Sequence, residues 1–363
     1  MKIGLIIYGN LDKISGGFLY DRTLIEYLRA QGDTVEVISL PWGGYGRHLM
    51  ENFSVLLPRK IKALELDVLL QDELNHPSLF LLNHRLSPPP PRIAIVHHLL
   101  INETRPGWRK GLLGIVERAY LRSVDGFIFN SQTTQISVQN QLPAGAANLT
   151  NSIVAYPGAD QFKPDMTTEE VTARALDPGP LRVMFLGNLI PRKGLHVLLQ
   201  AISFLPPGTC KLVVVGNPEF QPTYTRYVML QAAQLNLGSS VIFMDYLDGT
   251  DLSAQFRRNQ VLAVPSSYEG YGIAYLEGMS FGLPCLATTS GAAGEIITSG
   301  RDGYLVPPED PVALAEAIAS LAGDRQTLLK MSLSALHRSQ SQPTWEFTCQ
   351  RIRRFLQHLT QSK

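Results

Sequence analysis

The chain has 363 residues, enough for two ordinary domains each with its own core. A net charge of +1, with 17% charged and 45% hydrophobic residues, excludes a nucleic-acid binder driven by bulk charge, and no apolar run reaches the ~20 residues of a membrane span. Three dispersed cysteines, Cys210, Cys285 and Cys349, fit neither a disulfide framework nor a zinc pattern and read as reduced, buried thiols of a cytosolic protein.

Lys2–Tyr8 is a short β-rich apolar run that begins almost at the first residue, so no signal peptide is expected. A loop over 9–17 closes at Ser15-Gly16-Gly17. Phe18–Gln31 then has helical spacing, with Leu19, Leu24, Ile25 and Leu28 on one face, and Gly32 stops it before the strand Thr34–Leu40. This β-α-β unit implies a parallel sheet. G-x-G-x-x-G is absent after the first strand, which counts against a nicotinamide enzyme. The Gly16-Gly17 pair fits either close approach of a ligand to the backbone or a plain tight turn.

Asp67–Gln71 reads as a strand ending in the polar cluster Asp72-Glu73-Leu74-Asn75-His76, a loop that either opens onto a ligand or is solvent-facing polarity. After a loop with Ser87 and four consecutive prolines, the strand Arg92–Val96 ends at His97-His98. A His at a strand end can meet a ligand or bond to backbone, and two adjacent His without further ligand spacing make a poor metal site. Residues 103–123 mix Trp108, Leu112, Leu113, Ile115, Val116 and Tyr120 with five cations that oppose only Glu117 between 105 and 122, which suits either peripheral contact with an anionic membrane or an ordinary surface helix. Strands follow over Asp125–Asn130 and Ile153–Tyr156.

Composition shifts between Lys163 and Leu181, so the domain boundary is expected near 177, giving domains 1–177 and 178–343. A second α/β cycle begins with the strand Arg182–Leu186. The loop Gly187–Gly194 (GNLIPRKG) puts Arg192 and Lys193 at the start of a helix over 195–205, which suits either a diphosphate site or plain solvated charges on a loop. The strands Lys211–Gly216 and Ser240–Met244 and the short helix Asp251–Asn259 lead to the most informative stretch.

Val261–Val264 ends at Pro265, and the following loop carries Glu269, Gly270, Tyr271 and Gly272. A helix is expected from Ile273 to about Phe281, stopped by Gly282 and Pro284, with Leu286–Thr289 as the next strand. Glu269 and Glu277 can then face one crevice beyond the carboxyl ends of parallel strands. The helix N-terminus favours phosphate, and the carboxylates suit hydroxyls, which together suggest a nucleotide sugar. The bland alternative is two glutamates complementing a helix dipole. Beyond this lie the strand Tyr304–Val306, an amphipathic helix over 311–322 and a last helix over 344–361.

These residues resemble the retaining GT-B glycosyltransferases of the family 4 type. Glu269–Glu277 matches that family's Glu-x7-Glu motif, continued by Gly278-Met279, Gly282 and Pro284. Leu286–Glu295, Gly303–Val306, Leu186–Gly194 and Pro157–Asp160 resemble further family segments, most closely over 181–320. The resemblance implies two facing Rossmann-like doubly wound domains with the active site in the interdomain cleft, and a C-terminal helix, 344–363, joining the N-terminal acceptor domain. It implies that Glu277 holds the ribose hydroxyls and Glu269 the donor sugar. Gly270, Tyr271, Gly272 and Ile273 would offer backbone N–H groups, and Lys193 with Arg192 would neutralise the diphosphate. His97, rather than His98, is the expected active-site histidine, and Gly16 and Gly17 lie near the phosphates. Two positions depart from the pattern: Asn188 stands where the family has Arg, and Gly158 where it has Asn.

The expected activity is therefore an EC 2.4 hexosyltransferase that is retaining and metal-independent, with no cofactor and a UDP-, GDP- or ADP-sugar as co-substrate. The acceptor is a saccharide, a lipid-linked sugar or a small molecule, with Asp72, Glu73 and His76 as candidate acceptor residues. A cytoplasmic location is expected, with 103–123 as the candidate membrane contact. Other readings are a silent sugar-nucleotide subunit and a GT-B phosphorylase or epimerase.

Overall fold

The computed structural model describes residues 1–12, 15–103, 107–162 and 164–361, leaving out the side chains of 107–110. Arg105, Arg109 and Lys110, counted above in the basic stretch, therefore lie outside the described residues or side chains. The chain forms two compact units, Met1–Gly158 with Pro343–Lys363, and Ala159–Gln342.

In unit 1 the strands are β1 (Lys2–Tyr8), β2 (Thr34–Leu40), β3 (Val68–Asp72), β4 (Arg92–Val96), β5 (Gly126–Phe129) and β6 (Ser152–Val154). All pairs are parallel, in the order β2-β1-β3-β4-β5-β6. The helices are α1 (Gly16–Ala30), α2 (Tyr45–Glu51), α3 (Leu56–Ala63), α4 (His76–Leu79), α5 (Gly107–Ser123) and α6 (Gln132–Gln139). Strands buried on both faces need continuous apolar runs, and Val68, Leu69 and Leu70 of β3 are all fully buried.

Unit 2 opens with α7 (Thr168–Leu176), followed by β7 (Leu181–Leu186), α8 (Leu195–Ser203), β8 (Cys210–Val215), α9 (Pro222–Gln234), β9 (Val241–Met244) and α10 (Gly249–Arg258). It continues with β10 (Val261–Ala263), α11 (Ile273–Ser280), β11 (Cys285–Thr288), α12 (Ala293–Ile296), β12 (Gly303–Val306), α13 (Pro311–Gly323) and α14 (Arg325–Gln340). Its sheet runs β12-β11-β10-β7-β8-β9, again all parallel. This order reverses direction between β7 and β10, and the loops that leave the carboxyl ends of those two strands flank the switch point.

Unit 2 starts at Ala159, earlier than the expected 177, because the supposed linker contains α7. Thr167 and Glu170 form a reciprocal capping box at its start. Arg174 then clamps the interior, donating to the carbonyls of Phe281 at 2.6 Å and Gly282 at 2.9 Å.

The C-terminal α15 (Trp345–Gln361) belongs to unit 1. Arg353 donates to Asp33 at 2.6 Å, and Asp33 also holds the N-terminal ammonium at 2.7 Å. A Cβ at Gly158 would fall 2.2 Å from the Trp345 backbone nitrogen, which accounts for glycine at this departure from the family pattern. The three cysteines are buried and none is part of a disulfide. Among the described residues no helix is long and apolar enough to cross a membrane.

Candidate active site

The unit 2 site grows from two loops at the switch point. Gly194 has φ +72°, and a Cβ there would meet the Pro265 carbonyl oxygen at 2.1 Å, so glycine lets the two loops touch. Ser267 N–H donates to Arg192 O at 2.8 Å, tying them further.

Across this junction Lys193 Nζ donates to Glu269 Oε2 at 2.6 Å, Ser266 Oγ to the same oxygen at 3.0 Å, and Arg192 Nη1 stands 3.9 Å from Glu269 Oε1. Burial alone would raise the Glu269 pKa, but Lys193 and then Arg192 outweigh it and hold it down at about 2. Arg192 also donates to Tyr268 O at 2.9 Å, so its side chain reaches toward Glu269. Asn188, at the position of the family's Arg, is half-buried in the same loop.

Gly272, at φ +103°, is the N-cap of α11, and a Cβ there would strike the Tyr275 ring at 2.3 Å. The helix therefore starts at Ile273, with the backbone of Gly270–Ile273 at its mouth, as the sequence predicts. Glu277, one turn in, is half-buried, and burial pushes it up to about 7 despite Lys193. One carboxylate is thus paired and anionic, while the other is held near neutrality by burial.

In unit 1, Gly16 and Gly17 are the first residues of α1 rather than loop, with Ser15 Oγ accepting Phe18 N–H at 3.3 Å. A Cβ on Gly17 would come within 3.0 Å of His97 Cδ2, so glycine lets α1 approach the end of β4. His97 Nε2 lies 3.2 Å from Asp21 Oδ1, whereas His98 pairs with Glu103 at 3.1 Å. Burial would lower the His97 pKa, but Asp21, and behind it Asp72 and Glu73, raise it to about 9.

Asp72, Glu73 and His76 are not an open loop. Asp72 ends β3 and caps a 3-10 turn, and the three are 4%, 4% and 2% exposed. Burial raises Asp72 to about 7 and Glu73 to about 8, and lowers His76. Glu73 shares a hydrogen bond with Glu117 of α5, itself raised by burial to about 8. Glu117 accepts the N–H groups of Leu100 at 2.6 Å and Ile101 at 3.2 Å, fixing the segment that follows His97.

Asp21 and Glu117 were not singled out from the sequence. The signal is their helical spacing: Asp21 precedes Leu24 and Leu28 on the buried stripe of α1, and Glu117 precedes Tyr120 and Leu121 on that of α5. Among the described residues, potential metal-ligand atoms converge within 4.8 Å in Asp21/Asp72/His97 and in Glu73/His76/Glu117. The Glu117 oxygens are already engaged by backbone N–H groups, which suits a shared proton at least as well as an ion.

Two doubly wound parallel units place the chain in the GT-B fold class. It resembles sucrose-phosphate synthase from Thermosynechococcus elongatus, with TM-score 0.83 and 20% identity over 100% of both chains. It also resembles Anabaena HepE solved with UDP-glucose, with TM-score 0.78 and 19% identity over 99% of this chain and 100% of that one. Residues 167–337 match the model of the family Glycosyl transferases group 1. Curated relatives include D-inositol 3-phosphate glycosyltransferase of Corynebacterium glutamicum, 26% identical over 62% of this chain and 56% of the relative. Glycogen synthase of Mycobacterium tuberculosis is 27% identical over 66% of this chain and 56% of the relative. The chain thus spans little more than half the length of these curated relatives.

Proposed function

We propose that the protein is a retaining, metal-independent glycosyltransferase that moves a sugar from a nucleoside diphosphate to an acceptor hydroxyl. The observation that carries this is the junction of Lys193 with Glu269 at 2.6 Å, beside the glycine-capped start of α11 and the half-buried Glu277. A diphosphate fits Lys193, Arg192 and the α11 N-terminus by charge. Ribose hydroxyls suit Glu277, and sugar hydroxyls suit Glu269, which remains anionic at neutral pH.

In the proposed reaction the anomeric C–O(phosphate) bond breaks and the acceptor oxygen bonds to the anomeric carbon on the same face. The acceptor proton passes to the leaving phosphate oxygen, and Lys193 and Arg192 stabilise the charge that develops there. His97, an imidazolium at neutral pH, takes the role that the resemblance assigns to the active-site histidine. The buried Asp72 acts through it rather than as an exposed acceptor contact. The acceptor is a saccharide, a lipid-linked sugar or a small hydroxyl compound. Membrane contact through 103–123 would rest on Leu112 and Ile115, 62% and 59% exposed and three residues apart, with Arg118 and Arg122 further along the helix.

UDP-glucose, which HepE holds, is the first donor to test, followed by GDP- and ADP-sugars. The right donor raises the melting point, by the equivalent of about 2.7 kcal/mol at a hundredfold excess over Kd. Glu277→Ala and Lys193→Ala each abolish transfer, and EDTA leaves it intact. Full activity in both variants, or strict metal dependence, overturns the reading.

A further inference from the structure

The turn that joins α2 to α3 in unit 1 is rigidly held yet presents apolar side chains to solvent. Asn52 is 1% exposed, and its Oδ1 accepts Leu81 N–H at 2.9 Å and Leu82 N–H at 3.2 Å. Its Nδ2 donates to Pro77 O at 2.7 Å, and Arg85 donates to Asn52 O at 2.6 Å. Around this anchor Met50 is 65%, Phe53 65%, Val55 54% and Leu56 75% exposed, with Trp42 at 51%. The segment has already filled its share of the core: Leu57 and Ile61 are buried, and the tilted ring of His48 lies against Tyr8 with centroids 3.9 Å apart. Met50, Phe53, Val55 and Leu56 are thus surplus to the core, and exposed apolar side chains gathered in one turn and its flanks mark an interaction surface.

Charge decides the partner. Arg47, Arg59, Lys60 and Lys62 are exposed around the apolar tip, and Glu51 is the single carboxylate between residues 41 and 64. None of the four cations has an ion-pair partner among the described residues. A second copy docking through this patch would bring like charges together. Hydrocarbon beneath a layer of phosphates accommodates both the apolar tip and the ring of cations.

We propose that the α2–α3 corner docks unit 1 on an anionic lipid bilayer, with Met50, Phe53, Val55 and Leu56 entering the interface and Arg47, Arg59, Lys60 and Lys62 meeting the headgroups. The row of helices leads on to α5, since α4 packs against both α2 and α5, linked by the rings of Tyr45, His76 and Tyr120. This docking stands whether or not the protein transfers a sugar.

The test is co-sedimentation of the full chain with phosphatidylcholine vesicles, with and without phosphatidylglycerol. The expected result is binding to the anionic vesicles alone, at about 0.1 M salt and much less at about 0.5 M. Phe53→Asp with Leu56→Asp abolishes it, and Arg59→Glu with Lys60→Glu and Lys62→Glu weakens it about tenfold or more. Brominated lipid quenches fluorescence in the wild type more than in Trp42→Phe. All the substituted positions are exposed, and unchanged circular-dichroism melts show that the variants fold. The proposal is overturned by wild-type protein that ignores anionic vesicles, or by variants that bind as well as wild type. Loss only in Leu112→Ser with Ile115→Ser, or a concentration-dependent dimer abolished by Phe53→Asp, would also overturn it.

Discussion

Lys193 and Glu269 stand 76 residues apart, and their side chains meet at 2.6 Å where β7 and β10 lie side by side. The group suited to a diphosphate and the group suited to sugar hydroxyls thus neutralise one another. The ammonium has two further protons with which to reach a phosphate. Arg192, at 3.9 Å, supplies a second positive charge four residues after Asn188, in the direction of the same carboxylate.

This pairing should be visible in acid. Glu269 is held down at about 2 in the fold, whereas an unfolded glutamate titrates near its usual 4.5. A depressed pKa contributes stability above the unfolded value, and that stability is lost as pH falls from about 4.5 toward 2. At pH 3 the loss should be about 2 kcal/mol relative to pH 6. Urea unfolding at both pH values should show wild type losing about that much more than Glu269→Gln. Equal losses would mean that the ion pair contributes nothing.

The buried Glu73–Glu117 pair predicts the opposite slope. Glu73 is raised by burial to about 8, so its contribution is full below the unfolded value and falls as pH climbs through the folded one. His76, kept neutral by burial, works in the other direction below its usual range, so the informative window is about pH 6.5 to 8. Over that window wild type should lose up to about 2 kcal/mol more than Glu73→Gln. Parallel pH profiles would show that burial does not raise Glu73 in this way.

The strands were legible because a sheet buried on both faces needs apolar runs, as in 183–186 (VMFL) and 212–215 (LVVV). Glu269, Glu277 and Lys193 were legible because glycines and strand ends bracket them. Asp72, Glu73 and His76 look like any polar loop, and only tertiary packing from α5 and β4 buries them. Short α2 and α3 are hidden by Gly46 in the one, Pro58 in the other, and apolar residues on the outer face, which blur the helical period. For α7 the Thr167–Glu170 capping box was present, but the neighbouring prolines and glycine carry the composition of a linker.

The contact between the two site loops rests on one backbone position. Gly194→Ala forces a side chain into φ +72° and 2.1 Å from the Pro265 oxygen, whereas Gly208, at φ +82°, has nothing within 4 Å. Gly208→Ala should therefore cost about 1 kcal/mol from conformation alone, and Gly194→Ala at least about 2 kcal/mol more as the loops part. Donor-induced thermal stabilisation should survive in Gly208→Ala and vanish in Gly194→Ala. The same response in both variants would remove the loop contact from the account of the site.

Asp21 and His97 make the corresponding relationship in unit 1, at 3.2 Å with Asp21 wholly buried. His97 is raised to about 9, so it is an imidazolium throughout the neutral range. Its contribution to stability is full below the unfolded value of about 6.5 and is lost as pH rises through about 9. Asp21→Asn keeps the shape and a hydrogen-bond acceptor but removes the charge, leaving Asp72 as the nearer remaining carboxylate. The His97 titration midpoint, followed by NMR of its Cε1 proton, should fall by about one unit or more. Transfer activity should then decline with rising pH earlier than in wild type, since the loss of a neighbouring charge changes when His97 deprotonates rather than whether the fold forms. An unchanged midpoint with reduced activity at every pH would assign Asp21 to packing alone.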